Sequence, residues 1–154
     1  MPTHFTGTSA EQQALDVYIK LTRAAESVNT RINRRLSEIK LTLSQFGVLE
    51  ALYHLGPMHQ NELGQKILRS SGNMTLVIDN LSKRGLVERC RNPNDRRYIT
   101  VSLTAAGQQL IHDYFPEHVK GIVEEIGVLT SEEQEELQRL CKKLGLGRPG
   151  LMGD

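Results

Sequence analysis

Residues 81–104 read LSKRGLVERCRNPNDRRYITVSLT, and the fold turns on them because the apolar period changes inside this stretch. Before Gly85, the residues Met74, Val77, Ile78 and Leu81 recur at the i, i+3, i+4, i+7 spacing of one buried helix face. Gly85 stands where a helix-ending C′ glycine belongs. After it, Ile99, Val101 and Leu103 alternate with Tyr98, Thr100 and Ser102, which is the period of a half-buried strand. Leu86 to Arg91 and Arg97 to Leu103 are therefore expected as two strands, with Asn92-Pro93-Asn94-Asp95 as the turn between them.

Upstream, Ser9-Ala10-Glu11-Gln12 has the spacing of a capping box and predicts a helix start. Tyr18, Leu21, Ala25, Val28, Ile32, Leu36 and Ile39 then form one apolar stripe. A helix of that length is on the order of 40 Å, longer than one small core covers, so part of the stripe is expected to need another chain. Thr42-Leu43-Ser44-Gln45 opens a second helix with Phe46, Leu49, Leu52 and Tyr53 inward, and Gly56-Pro57 ends it. Asn61 is the expected cap of a short third helix carrying Leu63 and Ile67, in which Gly64 implies the close approach of a neighbour. Ser70-Ser71 is the expected cap of the fourth. Downstream, Thr104 begins a fifth helix with Ile111, Tyr114, Phe115, Val119, Ile122 and Ile126 as its stripe, which Pro116 should kink or interrupt. Thr130-Ser131-Glu132-Glu133 starts the last helix, with Leu137, Leu140, Cys141 and Leu144 on one side, and Gly145, Gly147, Pro149 and Gly150 mark a frayed tail. The expected fold is mainly α, with six helices and one small β-hairpin.

The chain has 154 residues, 38% hydrophobic and 24% charged, which suits a single globular domain. Net charge is +1, but its placement is uneven. From Lys83 to Arg97, six bases against Glu88 and Asp95 leave +4, whereas Glu124 to Glu136 holds six glutamates and no base, or −6. Such separation fits an anion-binding face with a solvated opposite end, or two solvated helix faces. A short helix, a turn and a helix with a polar outer face form an arrangement that enters the major groove of DNA. Ser71, Asn73 and Thr75 suit base-edge and phosphate hydrogen bonds, and Ser70, Leu76 and Lys83 complete the expected DNA-facing set on that helix. The hairpin holds Arg96 and Arg97 where they can reach phosphates or an adjacent minor groove. Asp95 would repel DNA unless its carboxylate holds Arg97 in one rotamer; the bland reading is a solvated turn with an incidental ion pair.

No apolar run approaches the length of a spanning helix, and the N-terminal segment lacks a basic-then-apolar signal, so a cytoplasmic chain is expected. Cys90 and Cys141 lack metal or disulfide spacing. On a strand, Arg89 and Arg91 point away from Cys90 while Glu88 shares its side, which argues against an activated thiol; Cys141 on the apolar stripe reads as a core thiol. His112, Asp113, Glu117 and His118 do not keep the register of a metal site across Pro116, and no metal or cofactor is expected. No nucleophile, base and orienting group, phosphate loop or carboxylate pair points to an enzyme.

The run DRRYITVSLT, Asp95 to Thr104, fits the D-x-R-x-x-x-V-x-L-T pattern of the multiple-antibiotic-resistance regulator (MarR) family, with Gly107 following. LSKRGLVER (Leu81 to Arg89) and LTLSQFGVLEALYHLG (Leu41 to Gly56) resemble the same family, and the likeness spans about residues 12–145. The resemblance implies a homodimeric winged helix-turn-helix repressor acting on a pseudo-palindromic operator. Residues 1–40 and 105–154 would form the dimerisation helices, and residues 41–104 the DNA-binding lobe. It places Ser71, Asn73 and Thr75 in the major groove and Arg97, steadied by Asp95, at the wing tip. FPEH (Phe115 to His118) and FGVLEALYHLG look most like regulators that respond to quinones and related phenolic compounds. A small-molecule effector is implied, with Tyr18, Tyr53, His54 and His112 as lining groups or partly buried structural residues. Alternatives are an oxidation sensor using Cys90 or Cys141, and a module that docks a protein instead of DNA.

Overall fold

A computed structural model describes residues 4–67 and 71–147, with the side chain of Ser71 outside that description. In chain order the elements are α1 (Ser9–Leu36), α2 (Leu43–Leu55), β1 (Met58–His59), α3 (Gln60–Lys66), α4 (Ser71–Lys83), β2 (Val87–Asn92), β3 (Asp95–Leu103), α5 (Ala105–Ile126) and α6 (Ser131–Leu146); a 3-10 turn, Ser37–Ile39, follows α1. The order is that of a winged helix-turn-helix with long terminal helices. Two compact units partition the chain, Met1–His118 and Val119–Asp154.

Reciprocal capping boxes open α1, α2 and α6, through Thr8 with Glu11, Thr42 with Gln45 and Thr130 with Glu133. The first lies one residue before the expected Ser9, because the Thr8 hydroxyl and the Glu11 carboxylate exchange the bonds that Ser9 and Gln12 would have made. Asn61 does not cap α3; the His59 ring nitrogen Nδ1 accepts from the Asn61 backbone N–H at 3.1 Å, so Asn61 lies inside the helix. The expected cap at Ser70-Ser71 lies outside the described residues, as do Pro149 and Gly150 of the expected tail. Gly145 belongs to α6, and Gly147 follows it at φ 68°. Helix α5 continues through Pro116.

In the first unit, Phe46, Val48, Leu49 and Leu52 of α2, Leu63 of α3, Met74, Ile78 and Leu81 of α4, Val87, Val101 and Ile111 are all buried, joined by Ile32 and Leu36 at the end of α1. The sheet has three strands in the order β1-β3-β2, not two. Met58 and His59 pair with Val101 and Thr100 across β3. Two residues are too few to reveal a period, so only the partner strand shows that they are paired. Helix α4 ends in a Schellman turn: the Leu86 N–H reaches the Leu81 carbonyl at 3.0 Å and the Gly85 N–H reaches Ser82 at 2.9 Å, with Gly85 at φ 70°.

In the second unit, Val123, Leu137, Leu140 and Leu144 are exposed, and so is Cys141. This corrects the expectation of a core thiol: periodicity identified an apolar side of α6, but within the single chain that side faces solvent. Among the described residues, no helix is long and apolar enough to cross a membrane.

Candidate nucleic-acid interface

The outer side of α4 is set by what its inner side must bury. Met74, Ile78 and Leu81 are fully enclosed, which turns Asn73, Thr75, Leu76 and Lys83 outward. Leu76 is 60% exposed. Ser70 and the Ser71 side chain lie outside the described residues.

Thr75 is held in place. The Gln60 side-chain N–H donates to Thr75 Oγ1 at 3.0 Å, and the same amide's oxygen accepts from Arg89 Nε at 3.4 Å. Arg89 also donates through Nη2 to the Thr75 carbonyl at 3.2 Å and through Nη1 to Asp79, with which it forms an ion pair. Helices α3 and α4 and strand β2 therefore meet at one guanidinium.

At the far end of the ribbon, Asn92 pairs with Asp95 around Pro93-Asn94, and the Asn94 N–H donates to Asn92 Oδ1 at 2.8 Å. The Asp95 carboxylate accepts from both the backbone N–H and Nε of Arg97, at 3.0 and 3.2 Å. The Arg97 side chain is 93% exposed, so it is oriented without being covered. Arg91 and Arg96 are exposed as well. At the sheet edge the Tyr98 ring lies 4.4 Å from that of His59, linking β3 to the start of α3.

The geometry revises the charge count made from sequence. Of the six bases between Lys83 and Arg97, two serve the protein: Arg89 as above, and Arg84, which donates to the carbonyls of Lys40 and Ile39 and ties the end of α4 to the loop before α2. Lys83, Arg91, Arg96 and Arg97 remain as the outward set. Sequence reading passed over Gln60 and Asp79, and gave Arg89 no partner, only a place among the six bases and in the strand alternation with Cys90. That alternation holds, since Cys90 is exposed and Arg89 is part-buried.

Of the expected effector-lining residues, Tyr53 and His54 lie side by side. A cavity of about 660 Å³ is lined from α1, α2 and α3 by residues including Asn29, Gly47, Glu50, His54, Lys66 and Ile67. His54 lines it, with the rings of Tyr53 and Phe115 at 5.0 and 4.9 Å. Tyr18 is 66% exposed on α1, and His112 lies beside Asp113, whose carboxyl is held below its ordinary value first by the Gln109 amide and then by His112. Nearby, His118 packs on Phe46 at 4.3 Å, and burial pushes its imidazole pKa down against the opposing pull of Glu50. Among the described residues, no three His, Cys, Asp or Glu side chains gather as a metal ion would require.

Comparison with known proteins agrees with this geometry. A sequence model of the MarR family matches residues 41–99. The HTH-type transcriptional regulator MhqR of Bacillus subtilis is 38% identical over 135 residues, covering 88% of this chain and 93% of that protein. A mutant MarR from E. coli in complex with operator DNA superposes with a TM-score of 0.78 at 25% identity, covering 89% and 99% of the two chains. BpsR of Bordetella bronchiseptica, whose DNA binding is regulated by 6-hydroxynicotinic acid, gives 0.79 at 26% identity, covering 84% and 98%. With an outward-turned helix, an arginine-tipped wing and these relatives, the chain belongs to the MarR family of DNA-binding transcriptional regulators, which are not enzymes.

Proposed function

We propose that this chain is a cytoplasmic repressor that binds a pseudo-palindromic operator as a homodimer and leaves it when a small phenolic or quinone-type compound binds. The observation that carries the DNA contact is the Arg97 side chain, oriented by Asp95 yet almost wholly exposed, at the tip of the ribbon that follows α4. Asn73, Thr75 and Leu76 meet base edges in the major groove, with Ser70 and Ser71 preceding them; Lys83, Arg96 and Arg97 meet phosphates. Dimerisation through residues 1–40 and 105–154 is supported by the apolar side chains that α1 and α6 expose, among them Val17, Leu140 and Leu144.

Support for the effector comes from the cavity beside His54 and from BpsR, since 6-hydroxynicotinic acid is a hydroxylated ring of the size such a cavity admits. Release follows if the bound state prefers a spacing of the two recognition helices other than about one helical turn, ~34–36 Å. The test is fluorescence anisotropy on duplexes from the chain's own promoter region, titrated with hydroquinones and hydroxylated aromatic acids. Dissociation by one class, lost in His54→Ala, is the expected result; indifference to every compound removes the effector half of the reading. Both cysteines are exposed, which favours a second reading as an oxidation sensor. Under it, quinone or peroxide would release DNA from the wild type but not from Cys90→Ser or Cys141→Ser.

A further inference from the structure

Helices α3 and α4 and strand β2 meet at a closed circuit of hydrogen bonds. Arg89 on β2 binds the Thr75 carbonyl on α4 at 3.2 Å and the Gln60 oxygen on α3 at 3.4 Å, and Gln60 returns to Thr75 Oγ1 at 3.0 Å. Asp79, one turn after Thr75, neutralises the guanidinium.

We propose that Gln60 and Arg89 are positioning residues that fix Thr75 and the wing at one setting relative to each other, so that sequence selectivity depends on a clamp lying behind the contact surface. The proposal rests on the DNA-binding reading above. The planar guanidinium suits this role because its N–H groups point in fixed directions, toward a carboxylate, a carbonyl and an amide oxygen at once. A lysine ammonium is a point charge on a flexible stem and cannot hold the same three acceptors in one plane. Holding Thr75 before DNA arrives removes the ordering cost that a mobile side chain would meet on binding. It also explains why a base in a basic stretch is turned inward: its charge is matched by Asp79, so it adds selectivity without adding attraction for phosphate.

The specific probe is a duplex enriched from a random-sequence pool by the wild-type protein, and the non-specific probe is a random duplex of equal length. Arg89→Lys, Arg89→Met and Gln60→Ala are each expected to lower affinity for the enriched duplex about tenfold, the loss of roughly one hydrogen bond. Affinity for the random duplex and the salt slope should stay at wild-type values. The double variant Gln60→Ala/Arg89→Met should be little worse than either single one, since both open the same circuit. Equal weakening on both duplexes with a salt slope lower by about one would make Arg89 a phosphate contact and overturn the proposal. An unchanged ratio in all variants overturns it too. Gln60→Ala, at a half-buried polar side chain in the first turn of α3, decides the matter should the Arg89 variants not fold. If the wild type enriches no duplex at all, the DNA-binding reading itself fails, and the clamp with it.

Discussion

At the scale of single residues, Asp95 and Arg97 set a trade between repulsion and order. The carboxylate brings negative charge to a surface proposed to meet phosphate, but it also accepts two hydrogen bonds from Arg97. Arg97→Ala should weaken DNA binding and reduce the salt slope by about one. Asp95→Ala should weaken binding as well, with no reduction in slope, because the arginine stays charged and loses only its restraint. Tighter binding by Asp95→Ala would mean that repulsion outweighs order, which would end the case for a preorganised probe. His118 offers a test of packing. Burial against Phe46 lowers its folded pKa, so in the window below the unfolded value of 6.5 the unfolded chain binds more protons than the folded one. The stability tied to neutral His118 is therefore present above about pH 6.5 and is lost as pH falls through the depressed folded value. His118→Phe should flatten the fall in denaturation midpoint as pH drops below 6.5, as read by urea melts. A fall identical to that of the wild type would show that other groups carry it. The wing pair could be read from sequence because both residues are local. The partners of Arg84 and Arg89 could not, since a run of bases does not reveal which of them a distant carbonyl or carboxylate will claim.

At the scale of elements, the helix-to-strand junctions explain much of the sequence pattern. Thr104 donates its hydroxyl to the Gly85 carbonyl at 2.6 Å, accepts from the Gly107 N–H at 3.1 Å, and sends its own backbone N–H to Leu86 at 3.1 Å. One threonine thus ties the end of α4 to the start of α5. A Cβ on Gly107 would stand 2.0 Å from the Leu86 carbonyl oxygen, a backbone atom that cannot turn aside. Gly107→Ala should consequently destabilise the fold by about 1–3 kcal/mol, measured as a lowered midpoint at unchanged m-value. A midpoint equal to that of the wild type would show that the junction yields easily. The helices were legible because capping and apolar spacing are local codes; Thr42 with Gln45 and Thr130 with Glu133 lie where the sequence places them. Strand β1 was not, since its two residues are strands only through their pairing with Val101 and Thr100. The cap of α3 escaped for a different reason: a histidine ring took the acceptor role usually filled by Ser, Thr, Asp or Asn.

At the scale of the whole molecule, the sequence signalled more apolar surface than one chain covers. Helix α1 has 28 residues, about 42 Å at 1.5 Å per residue, yet its buried residues are Ile32 and Leu36 near its end. Val17 and Tyr18 are exposed, as are Leu137, Leu140 and Leu144 on α6. Several large apolar side chains left exposed along one helix, as on α6, are what an association surface offers. A two-fold dimer uses the same surface on both copies, so a charge placed there is met by its own image. Leu140→Glu/Leu144→Glu should move the solution mass from about twice 17.3 kDa to 17.3 kDa, by sedimentation or light scattering. Because neither side chain is buried in the single chain, the variant should keep its fold, so the helical signal in circular dichroism should persist. Its affinity for a duplex with two half-sites should fall toward that for one half-site, since the second contact is no longer intramolecular. A wild-type mass of 17.3 kDa at micromolar concentration, with full affinity for the two-site duplex, would show that one copy suffices and that these helices expose their apolar sides for some other partner.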